Sequence, residues 1–107
     1  MASDPKRRMD GEGDLAVKQE PKTERVRRYM VIFHNDDYTT MDFVVFILIQ
    51  VFKRSEIEAF TIMFKVHTEG IGVAGIYPYE VAQMKAEKAM NLSRAHEYPL
   101  LCTVEEE

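Results

Sequence analysis

Apolar positions in this chain fall into blocks separated by polar turns. Tyr29-Met30-Val31-Ile32-Phe33 is an unbroken apolar run of strand length. The polar run from His34 to Asp42 follows it. Within that run, Thr39 and Asp42 have the N-cap and N3 spacing of a capping box, which predicts a helix from about Thr40 to Lys53. Phe43, Val44, Ile47, Leu48 and Val51 recur at helical spacing, and Phe46, Ile49 and Phe52 carry the apolar surface to nearly every side. Both faces of this helix should therefore be covered. Ser55 and Glu58 form a second capping box, opening a helix that ends near Glu69-Gly70. It carries two apolar stripes, Ile57-Phe60-Phe64 and Ile62-Met63-Val66.

The second half of the chain repeats neither pattern. Ile71 to Tyr77 is β-branched and glycine-spaced, which predicts a second strand. Pro78 suits the first turn of a third helix reaching about Ala95. Ala82, Ala86, Ala89 and Ser93 line one side of it, a stripe suited to close packing on a sheet. Tyr98-Pro99 must be extended, and Leu100 to Val104 supplies the last strand. The order β-α-α-β-α-β predicts an α/β two-layer sandwich, with a three-stranded antiparallel sheet packed against three helices.

Composition narrows the function. The 107 residues allow one small domain, read as residues 25–107, behind a polar leader of residues 1–24. The leader has too few apolar residues to offset the entropy of ordering, so a flexible extension is expected. Residues 1–28 carry a net charge of +2 and residues 29–107 one of −6. An acidic domain is a poor phosphate binder, which argues against nucleic acid as the partner. The longest apolar run, Phe43 to Ile49, is far short of the ~18 residues of a membrane span. The N-terminus lacks the apolar stretch of a secretory signal, and the single Cys102 fits a reducing compartment. Cys102 reads as a core residue.

Candidate chemistry concentrates in Asn35-Asp36-Asp37. Such residues favour turns because their side chains bond local backbone amides. A second reading is a metal-dependent hydrolase built on His34, Asp36, Asp37 and His67, although no known ligand spacing is present. A third is recognition of an ammonium group, in which carboxylate, amide oxygen and imidazole nitrogen accept its three N–H donors. His67, beside Met63 and Val66, is the natural imidazole for that role. No catalytic triad, phosphate loop or Cys-x-x-Cys can be assembled.

Several separate stretches resemble the ClpS adaptor family. They are Asn35-Asp36-Asp37-Tyr38-Thr39 with Met41 and Phe43-Val44, and Val66-His67 followed by Gly70. Glu80-Val81-Ala82 with Lys85 and His96 to Thr103 complete the set. The resemblance covers about residues 28–105. It implies a non-enzymatic, monomeric bacterial cytoplasmic protein with no cofactor or metal. Such an adaptor binds protein substrates with a bulky hydrophobic N-terminal residue (Leu, Phe, Tyr or Trp). It delivers them to the AAA+ unfoldase of the Clp protease by docking on the N-terminal domain of a ClpA-type or ClpC-type unfoldase. Carried over by motif, Asn35, Asp36 and His67 would contact the substrate's α-amino group and first peptide unit. Met41 would stand at the pocket rim, while Thr39, Val44, Met63, Val66 and Leu100 line the pocket. Glu80 and Lys85 would meet the unfoldase, and the leader would serve substrate hand-off. The chain departs from the family pattern at His34, Thr40, Pro78 and Gln83. A structural interaction domain like the C-terminal domain of the ribosomal stalk protein is a further reading of the same element order.

Overall fold

A computed structural model describes residues 26–107. The expected leader therefore lies outside the described residues. Six elements follow in order: β1 (Tyr29–His34), α1 (Met41–Gln50), α2 (Glu56–Glu69), β2 (Ile71–Tyr77), α3 (Tyr79–Ala95) and β3 (Leu101–Glu106). The strands form one antiparallel sheet in the order β2-β1-β3. β1 is central because it is the strand with two apolar faces. Val31 and Phe33 point into the helix layer and are fully buried, and Ile32 is covered from the opposite face by its neighbours Val73 and Thr103. The register pairs Tyr29 with Tyr77 and Glu106, and His34 with Ile71 and Leu101. It slips once between Val31 and Ile32, where β2 inserts Ala74 as an extra residue.

The helix layer is held by the apolar side chains that the sequence places at helical spacing. Ile47 and Leu48 of α1, Ala59, Met63 and Val66 of α2, and Ala82, Ala86 and Ala89 of α3 are all buried. The alanine stripe lets α3 lie close across the sheet. Phe33 meets Phe52 edge-on at 5.4 Å, joining β1 to the turn after α1. Arg54 closes that turn by donating from Nε to the Ala74 carbonyl at 2.8 Å. Cys102 is buried in the sheet's inner face, where the apolar surroundings push its thiol up to about 12.

Two expectations change, and one apolar pattern divides. The N-cap of α1 is Thr40, not Thr39: its hydroxyl accepts from the Phe43 N–H at 3.1 Å. Thr39 is instead engaged by Asp36, so the Thr39–Asp42 capping box does not form. Pro78 is the N-cap of α3 rather than part of its first turn, because its extended ψ of 156° precedes the first helical residue. The two apolar stripes of α2 also differ in fate. Met63 and Val66 are buried, whereas Ile57, Phe60 and Phe64 face outward.

Candidate functional site

Local bonding in the β1–α1 loop builds the site. Asp36 accepts through Oδ1 from the amides of Tyr38 (2.8 Å) and Thr39 (2.7 Å). Its Oδ2 accepts from the Thr39 hydroxyl at 2.8 Å. The turn-forming role that residue type suggests for Asp36 is therefore real. It does not exhaust the group, since a carboxylate has about four acceptor directions and three are used. Partial burial acts to raise the Asp36 pKa. The hydrogen bonds from Thr39 and Tyr38, with the Arg94 charge, more than offset this and hold it below its ordinary 3.8. A depressed carboxylate pKa makes these bonds fully available above pH 3.8 and lost as pH falls through the lower folded value. The Tyr38 and Thr39 amide resonances are accordingly expected to stay fixed from pH 7 to about 4 and to move only below it, as an NMR titration would read. Movement between pH 6 and 5 would count against this account.

A second contact brings α2 to the loop. The Asn35 amide donates to the Gly70 carbonyl at 2.9 Å, tying the end of β1 to the end of α2. Gly70 closes α2 with φ +92°, a conformation that favours glycine, and His67 occupies the last turn before it. Behind this junction, a Cβ on Gly72 would sit 2.7 Å from the Val66 Cγ2. Glycine at 72 thus lets β2 lie directly against α2.

The result is a cleft of about 430 Å³ at the end of the sheet. Asn35, Asp36, Thr39, Met41, Val44, Met63, Val66 and His67 all line it. Tyr38 and Thr40, which sequence reasoning left out of the site, line it too, as does Asp37, which it placed only in the metal reading. Their signal was membership of the same polar run. Arg94 had no such signal. It reaches the Asp36 environment from α3, held by the Leu100 carbonyl at 3.0 Å, and only the tertiary structure brings it there. Leu100 is 1% exposed and is not among the cleft-lining residues. His34 pairs through Nε2 with the Thr103 hydroxyl at 2.8 Å. Among the described residues, no group of three or more His, Cys, Asp or Glu stands close enough to hold a metal ion.

The remaining two residues lie elsewhere. Glu80 is exposed in the first turn of α3. Lys85 donates from Nζ to the Val51 carbonyl at 2.9 Å and stands 5.4 Å from the centre of the Tyr77 ring. It therefore holds the end of α1, about 15 Å along that helix from its cleft-bound start.

Chemically, the cleft pairs hydrogen-bond acceptors at its mouth with an apolar wall behind them. No hydrogen bond among the described residues engages the Asn35 side chain or the His67 ring, so both are available. Fold and cleft together define a small α/β domain with an open cleft suited to holding a ligand. A family model described as "ATP-dependent Clp protease adaptor protein ClpS" matches residues 24–103. Relatives of that name include one from Hyphomonas neptunium, 48% identical over 92% of this chain and 84% of its own. One from Parvibaculum lavamentivorans is 42% identical over 98% of this chain and 99% of its own. A solved structure of Agrobacterium tumefaciens ClpS2 bound to L-phenylalaninamide superposes with a TM-score of 0.75 at 35% identity, covering 78% of this chain and all of that one. The chain belongs to the ClpS family of Clp protease adaptors. Among the described residues no helix is long and apolar enough to cross a membrane.

Proposed function

We infer that the cleft binds the free N-terminus of protein substrates whose first residue is bulky and hydrophobic, namely Leu, Phe, Tyr or Trp. The chain then hands these substrates to the AAA+ unfoldase of the Clp protease without catalysing a reaction itself. One observation carries the reading: Asn35, Asp36 and His67 converge at the mouth of a cleft walled by Val44, Met63 and Val66. An α-ammonium needs three acceptors, and its own side chain needs an apolar wall beside them. The ligand of the ClpS2 structure, L-phenylalaninamide, has that composition: an amine, an aromatic side chain and an amide in place of the first peptide bond.

Within this reading Asp36 supplies the charge through the acceptor direction its loop bonds leave free. Asn35 and His67 accept the remaining amine protons or bond the first peptide unit. Met41, half-exposed at the rim, crowds the β-carbon and disfavours β-branched first residues. Thr39, Val44, Met63 and Val66 take the side chain, and Leu100 supports the core. Exposed Glu80 is the docking contact for the unfoldase's N-terminal domain, whereas Lys85 acts mainly by holding the end of α1.

The energetics are adequate. Burying a leucine or aromatic side chain contributes about 2.5–5 kcal/mol. Two or three charge-assisted bonds add roughly 3–6 kcal/mol. Several kcal/mol of lost peptide freedom oppose them, which leaves roughly micromolar affinity. The test is fluorescence anisotropy with peptides differing only at residue one. Leu and Phe peptides should bind, while Val, Ala and N-acetyl-Phe peptides should be weaker by at least about tenfold. Equal binding of the acetylated peptide would refute the amine-recognition reading.

A further inference from the structure

α1 and α2 lie antiparallel, and the groove between them runs on from the cleft. At one end, Met41 and Val44 of α1 face Met63, Val66 and His67 of α2 as walls of the cleft. At the other, Val45 and Ile49 face Glu56, Ile57, Phe60 and Thr61 across a second hollow of about 430 Å³. The same helix faces carry through both. Met41, Val45 and Ile49 follow one another at single turns along α1, while Phe64 and Phe60 lie one and two turns before His67 on α2. Val45 and Ile49 are half-buried, whereas Ile57, Phe60 and Phe64 are 80%, 59% and 54% exposed. Single exposed apolar residues are ordinary, but an apolar hollow in line with a binding cleft is not.

We propose that this hollow is a second subsite for the substrate polypeptide, taking an apolar side chain at about position three to five behind the N-terminal residue. It rests on the cleft holding that first residue, and adds a sequence preference behind it. Three features favour the substrate's own downstream chain as the occupant. The first is continuity. A chain anchored by its first residue must leave the cleft, and the groove between the helices is the apolar way out. The opposite wall is the polar run from Asp36 to Thr40, which offers an apolar side chain little to bury against. The second is reach. Val45 and Ile49 stand about 6 and 12 Å along α1 from Met41 at the cleft rim. An extended chain advances about 3.3 Å per residue, so positions three to five pass over that interval. The third is effective concentration. Once the first residue is held, the following ones meet the hollow intramolecularly, so a surface too open to hold a free ligand still adds to affinity.

In this arrangement the substrate's apolar side chain settles between Phe60 and Val45, with Ile49 and Ile57 beyond it. Phe60 and Ile57 then lose the exposure that the fold alone leaves them. Glu56, exposed at the start of α2, marks where the chain passes back into solvent. The protein thus selects a short pattern: a bulky hydrophobic residue at position one and an apolar residue a few places on.

Fluorescence anisotropy of the full chain with two Phe-initiated peptides decides the proposal. One carries serine at every position from three to nine, and the other replaces the serine at position four with leucine. The leucine peptide should bind about fivefold tighter, as expected from burying part of one leucine side chain in an open hollow. The same leucine at position nine should give no gain, because it lies past the hollow. Phe60→Ser should bring the leucine peptide to within about twofold of the serine peptide, a coupling that the double-mutant cycle isolates. Circular dichroism reads the fold of the variant independently. Equal affinity for the two peptides would overturn the second subsite and leave the cleft reading standing. A serine peptide that fails to bind would remove both. A gain equal at positions four and nine, or a Phe60→Ser loss shared equally by both peptides, would also overturn the subsite. So would a gain seen only after removal of residues 1–25, because the chain's own leader would then occupy the hollow.

Discussion

Asp36→Ala is expected to weaken binding of a Phe-initiated peptide more than tenfold, the largest loss of any single substitution in the cleft. Two effects add. The substitution removes the carboxylate that bonds the ammonium, a charge-assisted contact of about 1.5–3 kcal/mol. It also frees the Tyr38 and Thr39 amides and the Thr39 hydroxyl, all now held at 2.7–2.8 Å. The loop that presents Asn35 and Met41 then loses its preorganisation, and a peptide must order it on binding. Asp36→Asn separates the two effects, because its amide oxygen can still accept the two backbone bonds from Tyr38 and Thr39 while the charge is gone. It is expected to fall between wild type and alanine. His67→Ala should also cost more than tenfold but leave the loop unchanged. Wild-type affinity in Asp36→Ala, by anisotropy or calorimetry, would remove Asp36 from the site.

Phe33→Ala carries the second large effect, on stability. Phe33 is fully buried in the central strand, packed edge-on against Phe52 and among the core residues of all three helices. Emptying that position is expected to cost about 3–5 kcal/mol. For a domain of this size that is a large fraction of the ~5–15 kcal/mol total. Urea denaturation should show a lower midpoint with an unchanged slope, the sign of lost stability in a two-state transition. A loss under about 1 kcal/mol would mean that the core closes over the void, contrary to the close packing of β1 against the helices. Phe33 faces the helix layer and is not among the cleft-lining residues. The folded fraction of the variant should therefore bind peptide normally.

Burial explains which α2 residues sequence pattern placed correctly. Met63 and Val66 could be assigned to the core because they share a face with Ala59, and the sheet covers that face. Ile57, Phe60 and Phe64 follow an equally regular spacing, yet the same domain has no layer to put over them. Periodicity reports that a face is apolar and says nothing about whether this chain or another one covers it. The α1 cap is a smaller instance. Thr39 and Thr40 are both competent caps by residue type, and the choice fell to Thr40 because Asp36 captured Thr39.

Element order and the polar run that opens the cleft were legible in the sequence, since each depends on residues near in the chain, whereas the central place of β1 rests on pairing with strands about 40 and 70 residues away. Strand length, helix period and turn chemistry are local, and 3.6- and 2-residue repeats record them directly. The arrangement of groups around the cleft was not. His67 lines the same cleft as Asn35 because the Gly70 carbonyl takes the Asn35 amide, and the charge of Arg94 acts on Asp36 from α3. Those approaches join residues more than thirty positions apart, and their distances are set by how closely glycines and alanines let the layers pack. Sequence determined what the polar run could bond. Tertiary packing decided which groups stand around it, and so made a turn into one wall of a binding cleft.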